Sequence, residues 1–135
     1  MTLPLTTDDL TPAWLDTALS SQNSELRVHD LRIERVIPGT TTKVLASALI
    51  GSGDAAPAWQ PLCIKGGFDE SLRPLFGSSY VAEARFYAEV AGRIDAPLPR
   101  SWYAAADAGV GQGIIVMDDL AAAGAFEVLD ELRGS

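Results

Sequence analysis

This chain is short of the residues from which most metal and redox chemistry is built: its 135 residues include one cysteine, Cys63, and one histidine, His29. A single thiol excludes an internal disulfide and suits a reducing, cytoplasmic setting. Because Cys63 lies within the apolar run Leu62-Cys63-Ile64, it is expected to be a buried structural thiol rather than a reactive one. The lone histidine leaves metal centres and Ser-His-Asp triads with too few parts. Positive charge is also scarce, with ten Lys and Arg against eighteen Asp and Glu, a formal net charge of -8 and a pI near 4.4. Such a surface repels phosphate backbones and anionic lipid, so neither nucleic acid nor a membrane is an expected partner. No stretch reaches the roughly 18 uninterrupted apolar residues of a membrane span. The start, Met1-Thr2-Leu3-Pro4, has no basic patch or long apolar run and reads as neither signal peptide nor anchor. Internal repeats, low-complexity tracts and a G-x-x-x-x-G-K-[ST] phosphate loop are absent as well.

What is present is a composition, 47% hydrophobic, sufficient for one buried core, and hence one domain. Thr11-Pro12 opens a helix, with threonine as N-cap and proline at the first helical position, and Trp14, Leu15, Ala18 and Leu19 form its apolar stripe. Residues 20–25 end it. Alternation of Leu31 and Ile33 with Arg32 and Glu34 marks a strand to Ile37, Pro38-Gly39 a turn, and residues 43–50 a second strand. Residues 51–61 read as a long hairpin connection to a strand carrying Lys65. A polar loop over 66–77 leads to a helix over 79–93, which Ala96-Pro97-Leu98-Pro99 breaks. Strands at 101–105 and 114–117 flank a turn at 107–113, and a last helix is expected over 126–132. Gly109-Val110-Gly111-Gln112-Gly113 precedes a strand rather than a helix, so it is a turn and not a dinucleotide loop. Hairpin-length links make the sheet mainly antiparallel, five-stranded, and the fold α+β.

Two charges stand out. On a helical wheel Tyr80, Ala84, Tyr87 and Ala91 share one side, extended by Phe86 and Val90, and Glu83 projects within that stripe. A carboxylate there is costly unless paired. Lys65, one of only two lysines, ends an apolar strand and precedes the loop that feeds this helix, so the two are expected to meet. The plain alternative is a solvated lysine at a strand end and a glutamate at the margin of the stripe. A third possibility is a purely structural pair.

Two loops add context. Gly39-Thr40-Thr41-Thr42-Lys43 joins the first two strands, with one glycine for close backbone approach and three hydroxyls able to donate to phosphate oxygens; a simple hairpin turn accounts for it equally well. In Ile114-Ile115-Val116-Met117-Asp118-Asp119-Leu120 an apolar strand turns acidic. Adjacent aspartates diverge and make a poor metal site. The segment makes better sense as a hinge, in which backbone groups of Asp118 and Leu120 face an adenine edge with Met117 behind it.

In this order the pieces resemble the N-terminal lobe of the aminoglycoside phosphotransferase-like kinases, closest to the choline/ecdysteroid-kinase-like branch. Leu10-Thr11-Pro12-Ala13-Trp14-Leu15 looks like that branch's opening helix, Gly39-Thr40-Thr41 like its loop, Glu83-Ala84-Arg85-Phe86-Tyr87 like its Glu-x-x-Phe-Tyr helix and Met117-Asp118-Asp119-Leu120 like its hinge. The resemblance implies a protein-kinase-like lobe over 1–120, with a packed C-type helix and an extra N-terminal helix, and over 121–135 the start of a linker toward a C-terminal lobe. It implies that Lys65 holds the α- and β-phosphates of ATP, that Glu83 orients Lys65, that Gly39, Thr40, Thr41 and Thr42 cover the phosphates, and that Met117, Asp118 and Leu120 line the adenine pocket. The γ-phosphoryl would pass to a hydroxyl of a small molecule. The chain departs from the protein-kinase G-x-G-x-x-G, and it contains no His-x-Asp, so catalytic aspartate and Mg²⁺ ligands are expected from the other lobe. By itself the chain is therefore expected to bind nucleotide without turnover. The competing class is a non-catalytic scaffold of the same lobe, self-associating or binding a partner through exposed apolar residues such as Leu120, Phe126 and Leu129.

Overall fold

The side chain of Thr11 accepts a hydrogen bond from the Trp14 N–H at 3.1 Å, and Pro12 follows where a missing N–H costs nothing; together they start α1, Pro12–Gln22. The computed structural model describes residues 2–90 and 100–119. After a short 3₁₀ turn at Thr7–Asp9 and α1 come β1 Leu26–Ile37, β2 Thr42–Ser52, β3 Ala58–Gly66, α2 Arg73–Glu89, β4 Ser101–Asp107 and β5 Gln112–Asp118. The strands form one five-stranded sheet in the order β1-β2-β3-β5-β4, with every neighbouring pair antiparallel. The fold is α+β. Among the described residues no helix is long and apolar enough to cross a membrane.

Alternation along the strands gives the sheet two different faces. Val44, Ala48, Leu62, Ile64, Ile114 and Val116 turn to one side, where Leu15, Ala18 and Leu19 of α1 complete a core whose members are almost wholly excluded from water. Asp16 fastens this helix to the sheet by accepting the Val28 N–H at 2.8 Å, and Trp14 meets Tyr103 edge to face, 6.0 Å between ring centres. The other side is covered only in part. There α2 lies over β4 and β5, with Ala84 packed against Ile115 and Met117, and among the described residues the β1, β2 and β3 portion is left largely uncovered.

Several boundaries differ from the sequence expectation. β1 begins five residues before Leu31, because Leu26 and Arg27 pair with Ser52 and Gly51 at the far end of β2. The connection between β2 and β3 shrinks to residues 53–57, since Ala58 through Pro61 pair with β2. α2 starts at Arg73 rather than 79. Its first turn contains Pro74, suited to a helix start, and Gly77, which reads as loop in the sequence. Within α2 the buried residues are Gly77, Tyr80, Val81 and Ala84, whereas Val90, placed on the apolar stripe, is 41% exposed. Cys63 is half-buried rather than fully enclosed, on the open side of the sheet. Ala91, the helix end toward 93, the break at 96–99, Leu120 and the helix over 126–132 with Phe126 and Leu129 lie outside the described residues.

Candidate functional site

β3 places Leu62 and Ile64 in the core, so the intervening Cys63 and Lys65 emerge on the open face. Lys65 is directly opposite Lys43 of β2 on one side and Ile115 of β5 on the other. From α2, Glu83 reaches down beside Ala84 and accepts a hydrogen bond from the Lys65 ammonium, the one salt bridge among the described residues. The pair is not sealed indoors: 21% of the Lys65 side chain and 35% of the Glu83 side chain remain exposed. It stands at a rim, with one flank against the helix and the other toward solvent.

The helix comes close enough for this contact because of glycine. At Gly113 of β5 any side chain would run into the Tyr80 carbonyl and the Ala84 methyl, and at Gly77 a Cβ would lie 2.9 Å from the Gly111 Cα. Gly111 itself has φ +70, a left-handed conformation that suits glycine in the turn between β4 and β5. Beside Gly113, Gln112 is fully buried with all its side-chain polar atoms engaged. Its Nε2 donates to the Pro4 and Gly67 carbonyls at 2.9 and 3.1 Å, and its Oε1 accepts the Gly67 and Gly113 N–H groups at 2.8 and 3.1 Å. Arg73 of α2 donates to Leu5 and Gly67 carbonyls, both at 2.8 Å. The residues just after Lys65 are thus held from β5, α2 and the N-terminal segment at once. The sequence reading missed Gln112 and Gly113. The only signal they carry is the glycine run, which is also that of an ordinary turn.

The loop between β1 and β2 folds toward α2, where the Tyr80 hydroxyl donates to the Thr40 carbonyl. Thr41 joins Lys65, Gly66, Tyr80, Glu83, Gly113 and Ile115 around a crevice of about 10 Å³, room for about one water. Thr40 and Gly39 are exposed, and a Cβ on Gly39 would meet only the Thr41 carbonyl, at 3.3 Å. Thr42 is different: alternate to Lys43 and paired with Gly66, its side chain is 6% exposed and on the core side. The structure therefore brings Thr41, Lys65 and Glu83 together, keeps Gly39 and Thr40 at the mouth, and turns the Thr42 hydroxyl away.

Across the same face, Met117 is opposite Cys63 and 6% exposed, and Leu45 flanks Cys63 from β2. These three make an apolar floor next to Lys65, of which Leu45 was not singled out in the sequence and Cys63 was read only as a structural thiol. Burial pushes the Cys63 thiol up, the Asp119 charge adds to that, and Lys43 and Lys65 pull it back. Asp118 and Asp119 diverge. The Asp118 carboxylate accepts from Trp102 Nε1 at 2.7 Å and its N–H donates to the Arg100 carbonyl, while the Asp119 N–H donates to the Pro61 carbonyl. Chemically the arrangement offers an oriented ammonium, exposed threonine hydroxyls and backbone, and an apolar strip, which suits an anionic group joined to a flat apolar one. Comparison with known proteins returns no match to any family model, curated protein or solved structure.

Proposed function

We propose that this chain is the nucleotide-binding lobe of an ATP-dependent small-molecule kinase. The observation that carries the reading is the Lys65–Glu83 ion pair, formed between the third strand and the helix that follows it, the same pairing that positions the α- and β-phosphates in protein kinases. Lys65 holds the phosphates and Glu83 holds Lys65. Thr40 and Thr41, with the backbone from Gly39 to Thr42, cover them. The adenine lies on Leu45, Cys63 and Met117, with the end of β5 at its edge. Mg²⁺, when present with the nucleotide, would supply neutralisation of the phosphate charge. Its protein ligands, the catalytic aspartate and the acceptor alcohol belong to a C-terminal lobe, so the 135 residues alone bind nucleotide without turnover. Calorimetric titration with ATP tests this. Binding by the unaltered chain that Lys65→Ala removes while the thermal melt persists supports the reading, and equal binding by Lys65→Ala contradicts it.

A second reading is favoured by one observation. Ile33 and Val36 on the sheet-edge strand β1 are 42% and 43% exposed, and Trp59 on β3 is 40% exposed. Ile33 and Val36, opposite Ala46 and Val44 on the α1 side of the sheet margin, suit a non-catalytic lobe that binds a partner or its own copy, whereas Trp59 faces the other side beneath Arg32. Sedimentation of a monomer at high concentration, with ATP bound, excludes it.

A further inference from the structure

We infer that Lys43 is a second cation of the phosphate site and makes that site select polyphosphates over monophosphates; the inference rests on the nucleotide reading above. Lys43 and Lys65 are direct partners across β2 and β3. Residues so placed share a face with Cβ atoms about 5 Å apart, and like charges there repel. A chain of net charge -8 with only two lysines thus sets both of them side by side. Glu83 answers Lys65, and no carboxylate among the described residues forms an ion pair with Lys43, which is exposed. Lys43 is thus the ammonium of the two without an ion-pair partner among the described residues, although the Asp119 charge also reaches this stretch at Cys63.

Other observations say where an anion would sit. Both lysines share the open face with Cys63 and act on its thiol, against the opposing charge of Asp119 at the end of β5. The crevice between Thr41, Lys65 and Glu83, about 10 Å³, is too small for a phosphoryl group, since about 10–15 Å³ is needed for a single water. The ligand therefore rests outside it, above β2 and β3, between the two lysines and next to Thr40 and Thr41. Arg35, opposite Leu45 on β1, extends the positive character of this face away from the helix. A single phosphate satisfies one lysine, whereas a chain of two or three spans both.

Calorimetry with ATP, AMP and inorganic tripolyphosphate, on the unaltered chain and on Lys43→Gln, tests this. Lys43 is at the surface, so the variant keeps its fold, which a thermal melt checks. Lys43→Gln is expected to weaken ATP and tripolyphosphate by about tenfold, the effect of one partly solvated charge, and to leave AMP within about twofold. Lys43→Arg, which keeps the charge, is expected to retain most of the affinity. ATP binding unchanged by Lys43→Gln overturns the inference and leaves the nucleotide reading standing. Tripolyphosphate binding that depends on Lys43 but gains nothing from the adenosine overturns the nucleotide reading and leaves the two-lysine site standing. Absence of binding of ATP and of tripolyphosphate to the unaltered chain overturns both the inference and the nucleotide reading.

Discussion

Glu83 and Lys65 meet where the helix edge opens to water, and that exposure sets the size of their contribution. A solvated pair contributes up to about 1 kcal/mol and breaking a buried one costs about 3 to 5. Glu83→Gln is therefore expected to lower stability by about 1 kcal/mol, a fall in Tm of about 4 °C, readable by thermal denaturation. A loss above about 3 kcal/mol would place the pair in the buried regime instead. The pair was legible from the sequence because a carboxylate on an apolar helix face is costly wherever that helix docks. Its degree of exposure was not, because beyond Ala84 the stripe is only partly covered: Tyr87 packs against the Ala84, Ile115 and Met117 cluster while Val90 is exposed. Gln112 was illegible for a different reason. Its four hydrogen bonds join residues separated by as many as 108 positions, and no local pattern encodes them. A pH dependence also belongs to single residues: burial is the main cause that raises Cys63 above its ordinary 9.0 and Tyr80 and Tyr103 above 10.0. The unfolded chain then loses these protons first. Stability from these groups is full below pH 9 and falls as pH rises through the alkaline range, with no such loss toward neutrality. Urea unfolding at a series of pH values checks this, and a stability that rises above pH 9 would contradict it.

At the scale of elements, α2 is seated on glycine, and the seat is what brings its carboxylate to the strand. Gly113→Ala sets a methyl against the Tyr80 carbonyl and Ala84, and overpacking of this kind costs about 1 to 3 kcal/mol. Displacement of the helix also separates Glu83 from Lys65, so this variant is expected to lose ligand affinity together with stability. Denaturant unfolding paired with an ATP titration reads both, and a variant of unchanged stability would show that the helix is not seated there. α1 was legible to its first residue because Thr11 and Pro12 are local signals. The start of α2 was not: Gly77 and Ser78 have weak helix propensity, and tertiary contact with Gly111 overrides it. The first part of β1 was hidden likewise, since its partners at Gly51 and Ser52 lie across the whole length of the hairpin.

For the whole molecule, the sheet divides two tasks. One face, closed by α1, supplies the core; the other, half-covered by α2, carries Lys43, Lys65, Arg35 and Arg32 together with the carboxylates of Glu83 and Asp30. Arg32 lies over the Trp59 ring, 4.2 Å from its centre, so this cation has a local partner. On the proposed reading this face takes a small anion rather than a polyanion, whose remaining length the rest of the acidic surface would repel. The α+β class and the antiparallel sheet were legible because hairpin-length links and alternation are short-range, whereas the division between closed and open faces follows from packing alone. The central claim is that Lys65 and Glu83 act as one unit on a nucleotide phosphate, and a double-mutant cycle in ATP affinity tests it most directly. The account predicts that Lys65→Ala abolishes binding, that Glu83→Ala weakens it, and that Glu83→Ala adds nothing once Lys65 is gone. Equal ATP affinity in all four proteins, or no binding by the unaltered chain, would contradict it.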